Sequence, residues 1–279
     1  MLLITWNIQW GKGCDGVVDL ARTVAAAREF ADADIFCFQE VSEHFRPLDG
    51  DAEQSRQLAS LLPGYAPVFR PAVETIDDEG KARRFGNMTL SRLAVLQVRN
   101  HLLPWPEANS GRCMQRHALE VTVQASFGPL RVVNTHLEYY SAVQREAQLR
   151  RLMDLQQEAS TGAKPGRTNH GDPYLSVSLP PSSLLCGDFN FDVSDPQHEL
   201  IAESSRPGLN YRDAWSLCNR QRKHEPTAGL FDHVQWSKGP DCRDFIFVSE
   251  DLKSRIRRVV VNDRTDASDH QPIMIELAD

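Results

Sequence analysis

The segment Leu184-Leu185-Cys186-Gly187-Asp188-Phe189-Asn190 joins an apolar run to a carboxylate and an amide. The apolar run predicts a buried strand, and the polar residues follow it directly. Side chains at positions i and i+2 of an extended segment point the same way, so Asp188 and Asn190 are expected to face one site while Phe189 packs behind them. An ordinary turn after a strand would place the same residues there. This segment alone leaves both interpretations open.

Polar side chains stand at the ends of apolar strands elsewhere in the chain as well. A buried carboxylate without a partner is costly, so each such residue needs a counter-charge or a ligand. We expect these residues to converge on one site, and carboxylate and amide oxygens suit Mg²⁺ or Mn²⁺ better than Zn²⁺. The residues are Asn7, Glu40, His136, Asp188, Asn190, Asp244, Asp269 and His270.

The last strands carry a histidine with two possible acidic partners. Asp269-His270 is either a metal ligand beside a base or a surface turn. Asp244 is expected to orient His270, because an acidic partner fixes the tautomer of an imidazole and stabilises its charged form. The alternative for Asp244 is a salt bridge with the adjacent Arg243.

Composition limits the class of protein. The chain has 279 residues, of which 41% are hydrophobic and 25% charged, so a wholly disordered chain is excluded. No apolar run reaches the roughly 18 residues of a membrane span. The start of the chain is too short for a signal peptide, so we expect a cytoplasmic protein. The net charge of −7 argues weakly against a non-specific nucleic-acid binder. The six cysteines lack metal-binding spacing, which predicts reduced, buried thiols.

Hydrophobic periodicity predicts strands throughout, with helices between them, and hence a mixed α/β layer protein. A segment rich in Gly, Pro, Ser and Thr at 161–183 is expected to be a surface insertion. The polar strand ends lie on both sides of it, which favours one domain over 1–279. The predicted helices are 17–31, 53–62 and 141–158, and the predicted strands are 1–6, 34–39, 93–98, 117–123, 130–136, 184–186, 244–248 and 272–277.

Taken in order, these segments resemble the endonuclease/exonuclease/phosphatase superfamily, the group that includes pancreatic-type deoxyribonuclease. The resemblance implies an α/β fold, a four-layer α/β/β/α sandwich of two mixed β-sheets flanked by helices. It also implies Mg²⁺- or Mn²⁺-dependent hydrolysis of a phosphoester. The matching motifs are Trp6-Asn7-Ile8, Phe38-Gln39-Glu40-Val41, Gly86-Asn87, Leu90-Ser91-Arg92, Asn134-Thr135-His136-Leu137, Gly187-Asp188-Phe189-Asn190, Asp244-Phe245-Ile246-Phe247-Val248-Ser249 and Ser268-Asp269-His270-Gln271-Pro272.

The resemblance also implies a metal site at matched positions. Glu40 resembles the main metal ligand of the superfamily, with Asn7 and Asp269 nearby. A divalent cation offsets the negative charge of a phosphodiester and stabilises the attacking or leaving oxygen. Many members carry an arginine two residues before the aspartate of the Asp244 motif, where this chain has Cys242.

Five catalytic residues are implied in the same way. Asp188 resembles the residue that aligns or deprotonates the attacking water, and Asn190 the residue that holds the phosphate and the nucleophile. His270, oriented by Asp244, resembles a base or phosphate ligand. His136 resembles the second histidine, which stabilises the phosphorane-like charge or protonates the leaving oxygen.

Three functions remain open at this stage. The first is a metal-dependent phosphodiesterase or phosphatase acting on a small molecule or a lipid headgroup. The second is a metal-dependent endo- or exonuclease acting on DNA or RNA. The third, a catalytically inactive binding protein on the same scaffold, predicts the loss of a site residue, yet all eight are present. The expected partner is a phosphoester substrate, and no membrane or protein partner is predicted.

Other residues are candidates for binding substrate. Tyr139 and Tyr140 either stack on a base or sugar or pack beside the following helix. A loop before Asp244 carries Phe231, His233 and Trp236, where many members of the superfamily shape specificity. Basic residues either bind substrate phosphates or form solvated faces. They are Lys81, Arg83, Arg84, Arg145, Arg150, Arg151, the stretch 220–224, Arg255, Arg257 and Arg258.

Overall fold

Two six-stranded β-sheets form the centre of this computed structural model, which describes residues 1–107, 111–162, 179–203 and 211–279. The first sheet contains β1 (Leu2–Asn7), β2 (Ile35–Glu43), β3 (Ala66–Ile76), β4 (Ala82–Ser91), β11 (Ile256–Val261) and β12 (Ile273–Leu277). The second contains β5 (Val95–Leu102), β6 (His117–Ala125), β7 (Gly128–His136), β8 (Ser183–Asp188), β9 (Tyr211–Asp213) and β10 (Asp244–Ser249). The strand orders are β11-β12-β1-β2-β4-β3 and β5-β6-β7-β8-β10-β9.

Both sheets are mixed. In the first sheet β1 and β2 are parallel, and in the second β7 and β8 are parallel, while the other neighbours run antiparallel. The helices are α1 (Leu20–Phe30), α2 (Arg46–Asp49), α3 (Gln54–Leu61), α4 (Ala142–Thr161), α5 (Pro196–Ala202) and α6 (Ala214–Cys218), with 3-10 turns at Gln9–Gly11 and Glu250–Arg255.

The core has three apolar layers because each central strand buries both faces. In β1, Leu3 packs between the two sheets, whereas Ile4 packs outward beneath α1 and α3. In β8, Leu184 faces the other sheet and Leu185 packs beneath α4 and α5. Strands buried on both faces read as continuous apolar runs. The layers therefore stack as helix, sheet, sheet and helix, which confirms the predicted four-layer α/β/β/α sandwich.

Several predicted boundaries were wrong. The first helix begins at Leu20 instead of 17, because the Asp19 side chain accepts a hydrogen bond from the Arg22 N–H and caps the helix there. Val17 lies outside the helix and is exposed. The strand predicted at 93–98 runs over Val95–Leu102.

Four strands and three short helices gave no usable periodicity. The hairpin of β3 and β4 is largely half-buried or exposed over its outer part, so its sequence lacks an apolar run. Its strands are held by a ladder of cross-strand pairs from Ala66 opposite Ser91 to Ile76 opposite Ala82. Pairing of a strand with its neighbouring strand is a tertiary contact, and the pattern of a single sequence does not predict it. The elements missed were β3, β4, β9, β11, α2, α5 and α6.

The strand directions bring the polar strand ends to one edge. The parallel strands β1 and β2, like β7 and β8, end at the same side of their sheets. The antiparallel strand β10 begins at that side, where Asp244 lies opposite Asp188. Close approach of β7 and β8 there requires glycine at 187, since a Cβ on Gly187 would lie 1.9 Å from the Thr135 carbonyl oxygen.

The predicted insertion at 161–183 lies mostly outside the described residues. Its first residue, Thr161, ends α4, and its last, Ser183, begins β8. In the described part of the chain, no helix is both long enough and apolar enough to cross a membrane.

Candidate active site

Glu40 is placed by a bulge in β2. The pairing between β2 and β4 shifts register between Phe38 and Val41, and Glu40 adopts a left-handed backbone with φ of 61°. Such a conformation costs a non-glycine residue about 1–3 kcal/mol and persists where the surroundings impose it. The bulge aims the Glu40 carboxylate at the cleft instead of along the sheet face. Its Oε1 atom lies 3.9 Å from His136 Nδ1.

Asn7, at the end of β1, lies between two carboxylates. Its Nδ2 group donates to Glu40 Oε1 at 3.2 Å and to Asp188 Oδ2 at 3.0 Å. The Asn7 Oδ1 atom accepts the Gln9 N–H at 3.1 Å. In this orientation the amide nitrogen faces the carboxylates, and Asn7 becomes a metal ligand only if the amide turns to present its oxygen.

Asp188, at the end of β8, contacts side chains from both sheets at this edge. Its Oδ2 atom lies 3.3 Å from His136 Nε2 and 3.8 Å from His270 Nε2. Burial, together with the negative charge of Asp244, raises the pKa of Asp188 to about 6. Burial, followed by the carboxylates of Asp269 and Asp188, likewise raises the pKa of Glu40 to about 7.

The two histidines have opposite charge preferences. Burial, the Arg116 guanidinium and His270 hold the pKa of His136 well below its usual range, so this imidazole is neutral. Burial opposes the charged form of His270 too, but Asp244, Asp188 and Asp269 outweigh it and hold the His270 pKa well above its usual range.

The predicted contact between Asp244 and His270 is present. Asp244 Oδ2 lies 2.7 Å from His270 Nδ1 and also accepts the Thr227 hydroxyl at 2.7 Å. The alternative salt bridge is absent from the described residues, since Arg243 pairs with Asp241 instead. Its Nη1 group also donates to the Asn190 carbonyl oxygen at 3.4 Å.

Asn190 lies in the cleft, but its backbone conformation differs from the predicted one. Its φ of 55° is left-handed, so Asp188 and Asn190 do not share one extended segment. The Asn190 N–H donates to Asp188 Oδ1 at 2.9 Å, which closes an Asx turn. Its side-chain amide donates to the Leu137 carbonyl oxygen at 2.9 Å. Phe189 packs behind, as predicted. The site and the turn, posed as alternatives, are both present.

The loop before β10 supplies contacts that the sequence did not rank. Asp269 Oδ2 accepts hydrogen bonds from Gln235 Nε2 at 2.8 Å and from Trp236 Nε1 at 3.1 Å. The Trp236 ring lies edge-on to His270 at 5.6 Å between centroids. Gln235 was missed because an exposed glutamine in a loop carries no pattern.

A cleft of about 500 Å³ opens over these groups. Arg116 lies in its wall, only 5% exposed, with its Nε group 3.2 Å from Glu138 Oε2. Its Nη1 atom is buried and has no hydrogen-bond partner among the described residues. Tyr139 and Tyr140 are half-exposed at the rim, so the expectation that they pack beside the helix fits less well than a surface role. The cleft is lined by Gln9, Trp10, Glu40, Phe85, Arg112, Met114, Arg116, His136, Tyr139, Tyr140, Asp188, Asn190, Gln235, Trp236, Asp269 and His270.

Comparison with known proteins decides the family. The profile of the endonuclease/exonuclease/phosphatase family matches residues 4–270. The chain belongs to this family. Its members are hydrolases that act on phosphoester bonds, and they typically use divalent metals. Among curated proteins, no sequence matches the chain significantly.

Solved structures share the endonuclease/exonuclease/phosphatase fold. An endonuclease/exonuclease/phosphatase from Beutenbergia cavernae is 24% identical with a TM-score of 0.74, and the match covers 100% of this chain and 72% of that one. A mannosyl-6-phosphatase from Bacteroides thetaiotaomicron is 18% identical with a TM-score of 0.69, and the match covers 100% of both chains. The human Nocturnin catalytic domain with bound sulfate is 19% identical with a TM-score of 0.64, and the match covers 100% of this chain and 93% of that one.

The donor set at the cleft fits the divalent ion that enzymes of this family use. Glu40 and Asp269 offer hard oxygen ligands, and burial, followed by the negative charge of Asp269, raises the pKa of Glu40. A cation between these carboxylates would offset that repulsion. The residues present therefore suit Mg²⁺ or Mn²⁺.

One motif residue of the family has a structural role that the sequence did not disclose. Asn134 in β7 donates to the Phe38 and Met88 carbonyl oxygens of the other sheet at 3.2 and 3.1 Å. The Asn134 Oδ1 atom accepts a hydrogen bond from Gln39 Nε2 at 2.7 Å. The Asn134 backbone oxygen accepts one from Asn87 Nδ2 at 3.2 Å. We call Gln39, Asn87 and Asn134 the inter-sheet clip. It joins the sheets just behind the cleft.

Arg145, a candidate phosphate-binding residue by sequence, does not reach the cleft. It is buried, and its Nε group donates to Gln197 Oε1 at 2.8 Å. Its Nη1 group donates to the Glu138 carbonyl oxygen at 3.0 Å. Arg145 therefore ties α4 to α5 and to the segment after β7, so it fits neither alternative, the substrate contact or the solvated face.

Proposed function

We propose that this chain is a divalent-metal-dependent hydrolase that cleaves phosphoester bonds, as a phosphatase or phosphodiesterase, by in-line attack of an activated water. The observation that carries this proposal is the arrangement around Asp188. A carboxylate with a raised pKa lies between a neutral histidine and a charged one. Environments that push the pKa values of neighbouring groups apart assign acid and base roles.

Asp188 is the group that takes a proton from the attacking water. Its pKa of about 6 is close enough to neutral for general-base work, while most of the carboxyl remains ionised at pH 7. Asn7 holds Oδ2 and the backbone of Asn190 holds Oδ1, so the carboxylate cannot rotate freely. As the water oxygen bonds to phosphorus, one proton of the water passes to Asp188. The bond from phosphorus to the ester oxygen breaks, and that oxygen takes a proton from the solvent as it leaves.

The histidines bind the phosphoryl group in this proposal. His270, kept charged by Asp244, is a phosphate ligand in the resting state rather than a base. His136 is neutral, so it stabilises charge on the phosphoryl oxygens as a hydrogen-bond donor. Asn190 lines the same part of the cleft and contacts the phosphate.

Glu40 and Asp269 are the residues that would hold Mg²⁺ or Mn²⁺, with Asn7 beside them as the third candidate. The bound ion would neutralise phosphoryl charge and lower the barrier to attack. Gln235 and Trp236 fix the Asp269 carboxylate, and Asn7 fixes that of Glu40. Because these residues extend from position 7 to position 270, we further propose that 1–279 acts as one catalytic domain.

The charge distribution favours a small phosphoester over a long nucleic acid. Most of the basic residues that could line a nucleic-acid groove are neutralised by acidic neighbours. Binding a polyanion needs several free cations, because each phosphate contact contributes through a Lys or Arg. Arg116 in the cleft wall is likewise paired, with Glu138. The neutralised residues are Lys81, Arg83, Arg84, Arg150, Arg151, Arg222 and Arg258.

Asp188→Asn tests the proposal. Hydrolysis of a panel of small phosphomonoesters and phosphodiesters with Mg²⁺ or Mn²⁺ is measured for the unaltered protein, the variant and a chelated sample. We expect the variant to lose at least about a thousandfold in kcat, with the fold intact by circular dichroism. Asp32→Asn is the control, since that side chain is 77% exposed. Near-normal turnover by Asp188→Asn would refute the assignment.

A metal-dependent nuclease is the second candidate, because family members act on phosphoesters that include nucleic acids. Supercoiled plasmid, single-stranded DNA and RNA belong in the same assay. Their cleavage, abolished by chelator and by Asp188→Asn, would replace the small-phosphoester proposal with a nuclease. Failure of every substrate with a folded, metal-loaded protein would favour an inactive binding protein.

A further inference from the structure

Two buried histidines and an aspartate meet outside the cleft. His198 lies in α5, Asp213 at the junction of β9 and α6, and His224 in the loop before Thr227. We call these three residues the histidine–aspartate cluster. Each offers one potential ligand atom, and these atoms lie within 4.8 Å of one another. None of the three is among the residues that line the cleft.

The Asp213 carboxylate is held in place by three neighbouring residues. Its Oδ1 atom accepts the Trp215 N–H at 2.9 Å, and Oδ2 accepts the Ser216 hydroxyl at 2.7 Å. His224 Nε2 lies 2.5 Å from the same Oδ2. Although burial opposes ionisation, the contacts with His198 and His224 keep the pKa of Asp213 below its usual range.

His198 is left with an unexplained polar atom. The residue is 9% exposed, and its Nε2 points at the cluster. That atom lies 3.3 Å from Asp213 Oδ2 but makes no hydrogen bond among the described residues. Because this buried atom has an ion-pair contact with Asp213 but no hydrogen bond among the described residues, it is available as a metal ligand.

One of the ligand separations in the cluster matches a tetrahedral metal site. Ligand atoms about 2.0–2.1 Å from a tetrahedral Zn²⁺ lie about 3.3 Å apart, which is the separation of His198 Nε2 from Asp213 Oδ2. The His224 contact of 2.5 Å is a hydrogen bond, and it opens by about 0.8 Å when metal replaces the proton. Two imidazoles and a carboxylate suit Zn²⁺ better than Mg²⁺.

The surroundings also fit a structural metal. The rings of Phe245 and Phe191 pack on His198 at centroid distances of 5.1 and 6.3 Å, and Trp215 packs on His224 at 5.8 Å. These apolar rings lower the local dielectric constant, which strengthens the electrostatic attraction between the ligands and a cation.

We propose that His198, Asp213 and His224 bind one Zn²⁺ ion, with a water in the fourth position, as a structural site separate from the cleft. The ion ties together α5, the start of α6 and the loop that leads to Thr227. Thr227 donates to Asp244, so this loop also supports one wall of the candidate active site.

Zinc titration of metal-free protein against a chromogenic chelator tests the proposal. We expect about one tightly bound Zn²⁺ that His198→Ala weakens at least about tenfold and that Glu40→Gln leaves in place. His101→Ala is the matched control, because His101 Nε2 also lies 3.4 Å from a buried carboxylate, that of Glu120, and its side chain is equally 11% exposed. Unchanged affinity in His198→Ala, or loss of this ion in Glu40→Gln alone, would overturn the proposal.

A second test uses crystals of the unaltered protein, so its result does not depend on whether a variant folds. Anomalous scattering is measured at the zinc edge from protein loaded with stoichiometric Zn²⁺. A peak between His198, Asp213 and His224 is the expected result. A peak confined to the cleft, or no peak, would overturn the proposal whether or not the chain proves to be a phosphoesterase.

Discussion

At the scale of single residues, the candidate site is built from groups whose positions reduce stability. Glu40 combines a left-handed backbone with a pKa raised to about 7. Asp188 carries a pKa raised to about 6 in the same cleft. Crowded carboxylates store repulsion that a cation or substrate can relieve, and this is a common feature of functional sites.

Glu40→Gln is expected to stabilise the metal-free protein at high pH. Because the folded pKa of about 7 exceeds the ordinary value of 4.5, this carboxyl contributes stability below pH 4.5 and loses it as pH rises through 7. The neutral amide avoids that loss, so at pH 8 we expect a gain of roughly 3 kcal/mol, vanishing near pH 4. Urea unfolding with chelator at both pH values measures it.

The same variant should bind Mg²⁺ or Mn²⁺ more weakly, since a charged ligand becomes neutral. Calorimetric titration measures this, with Glu146→Gln on the exposed face of α4 as the control. Unaltered divalent affinity would count against Glu40 as a ligand.

Arg116→Lys is expected to raise KM for a small phosphoester about tenfold with a smaller effect on kcat. The lysine ammonium keeps the charge beside Glu138 but lacks the planar guanidinium with which Arg116 lines the cleft wall. Steady-state kinetics with Arg92→Lys as control separates the effects, because Arg92 pairs with exposed Asp32. An unchanged KM would remove Arg116 from substrate binding.

At the scale of elements, α4 is fixed to the second sheet by buried charge as well as by apolar contact. Arg131 in β7 places Nη2 3.0 Å from Glu120 Oε2 of β6 and Nη1 2.8 Å from Gln156 Oε1 of α4. Glu120 and Arg131 are fully buried. Burial opposes the ionised form of Glu120, but His101 and Arg131 outweigh it and lower its pKa to about 2.

Glu120→Gln is expected to destabilise the protein by roughly 3 kcal/mol at pH 7, because it leaves Arg131 charged and unpaired. The folded pKa lies below the ordinary value of 4.5, so the contribution is present above pH 4.5 and disappears as pH falls towards 2. Chemical denaturation across this range measures it. Glu146→Gln, which breaks an exposed pair with Arg150, should change stability by less than about 0.5 kcal/mol. Equal effects of the two variants would contradict the argument.

The element scale also shows where sequence patterns succeed. The strands that bury both faces, such as β2 and β8, were identified because their apolar runs are unbroken. The hairpin of β3 and β4 was missed because its stability depends on cross-strand partners. The turn at Asn190 remained one of two alternatives for a similar reason, since its left-handed backbone depends on hydrogen bonds to Asp188 and Leu137.

At the scale of the whole molecule, the candidate site forms only when the two sheets pack against each other, because each sheet supplies part of it. Asn7 and Glu40 belong to one sheet, whereas His136 and Asp188 belong to the other. The inter-sheet clip spans this boundary with hydrogen bonds in a dry interior, where an unsatisfied partner is expensive.

Asn134→Leu should therefore reduce the free energy of unfolding by about 3 kcal/mol, because Gln39 Nε2 and two backbone carbonyls lose a buried partner. Activity should fall more than the folded fraction does, since the two halves of the site lose their register. Urea unfolding and hydrogen exchange in β2 and β7 measure the change, with Gln124→Leu on the exposed face of β6 as control. A stable, fully active Asn134→Leu would reject this role.

The sequence predicted the mixed α/β layers and the residues that gather at one sheet edge, whereas the sandwich and the family were implied by the resemblance of its motifs. It could do so because burial imposes apolar runs on central strands, and the chemistry of a phosphoester site imposes residue types at their ends.

How those residues act together depends on the packing of the two sheets. The bulge at Glu40, the turn at Asn190 and the unpaired nitrogen of Arg116 each depend on neighbours far away in the chain. The charge states of His136 and His270 depend on them too, because a pKa is set by burial and by the groups within a few ångströms. A linear pattern names the residues, but the distances that fix their charge and geometry arise only when the two sheets pack.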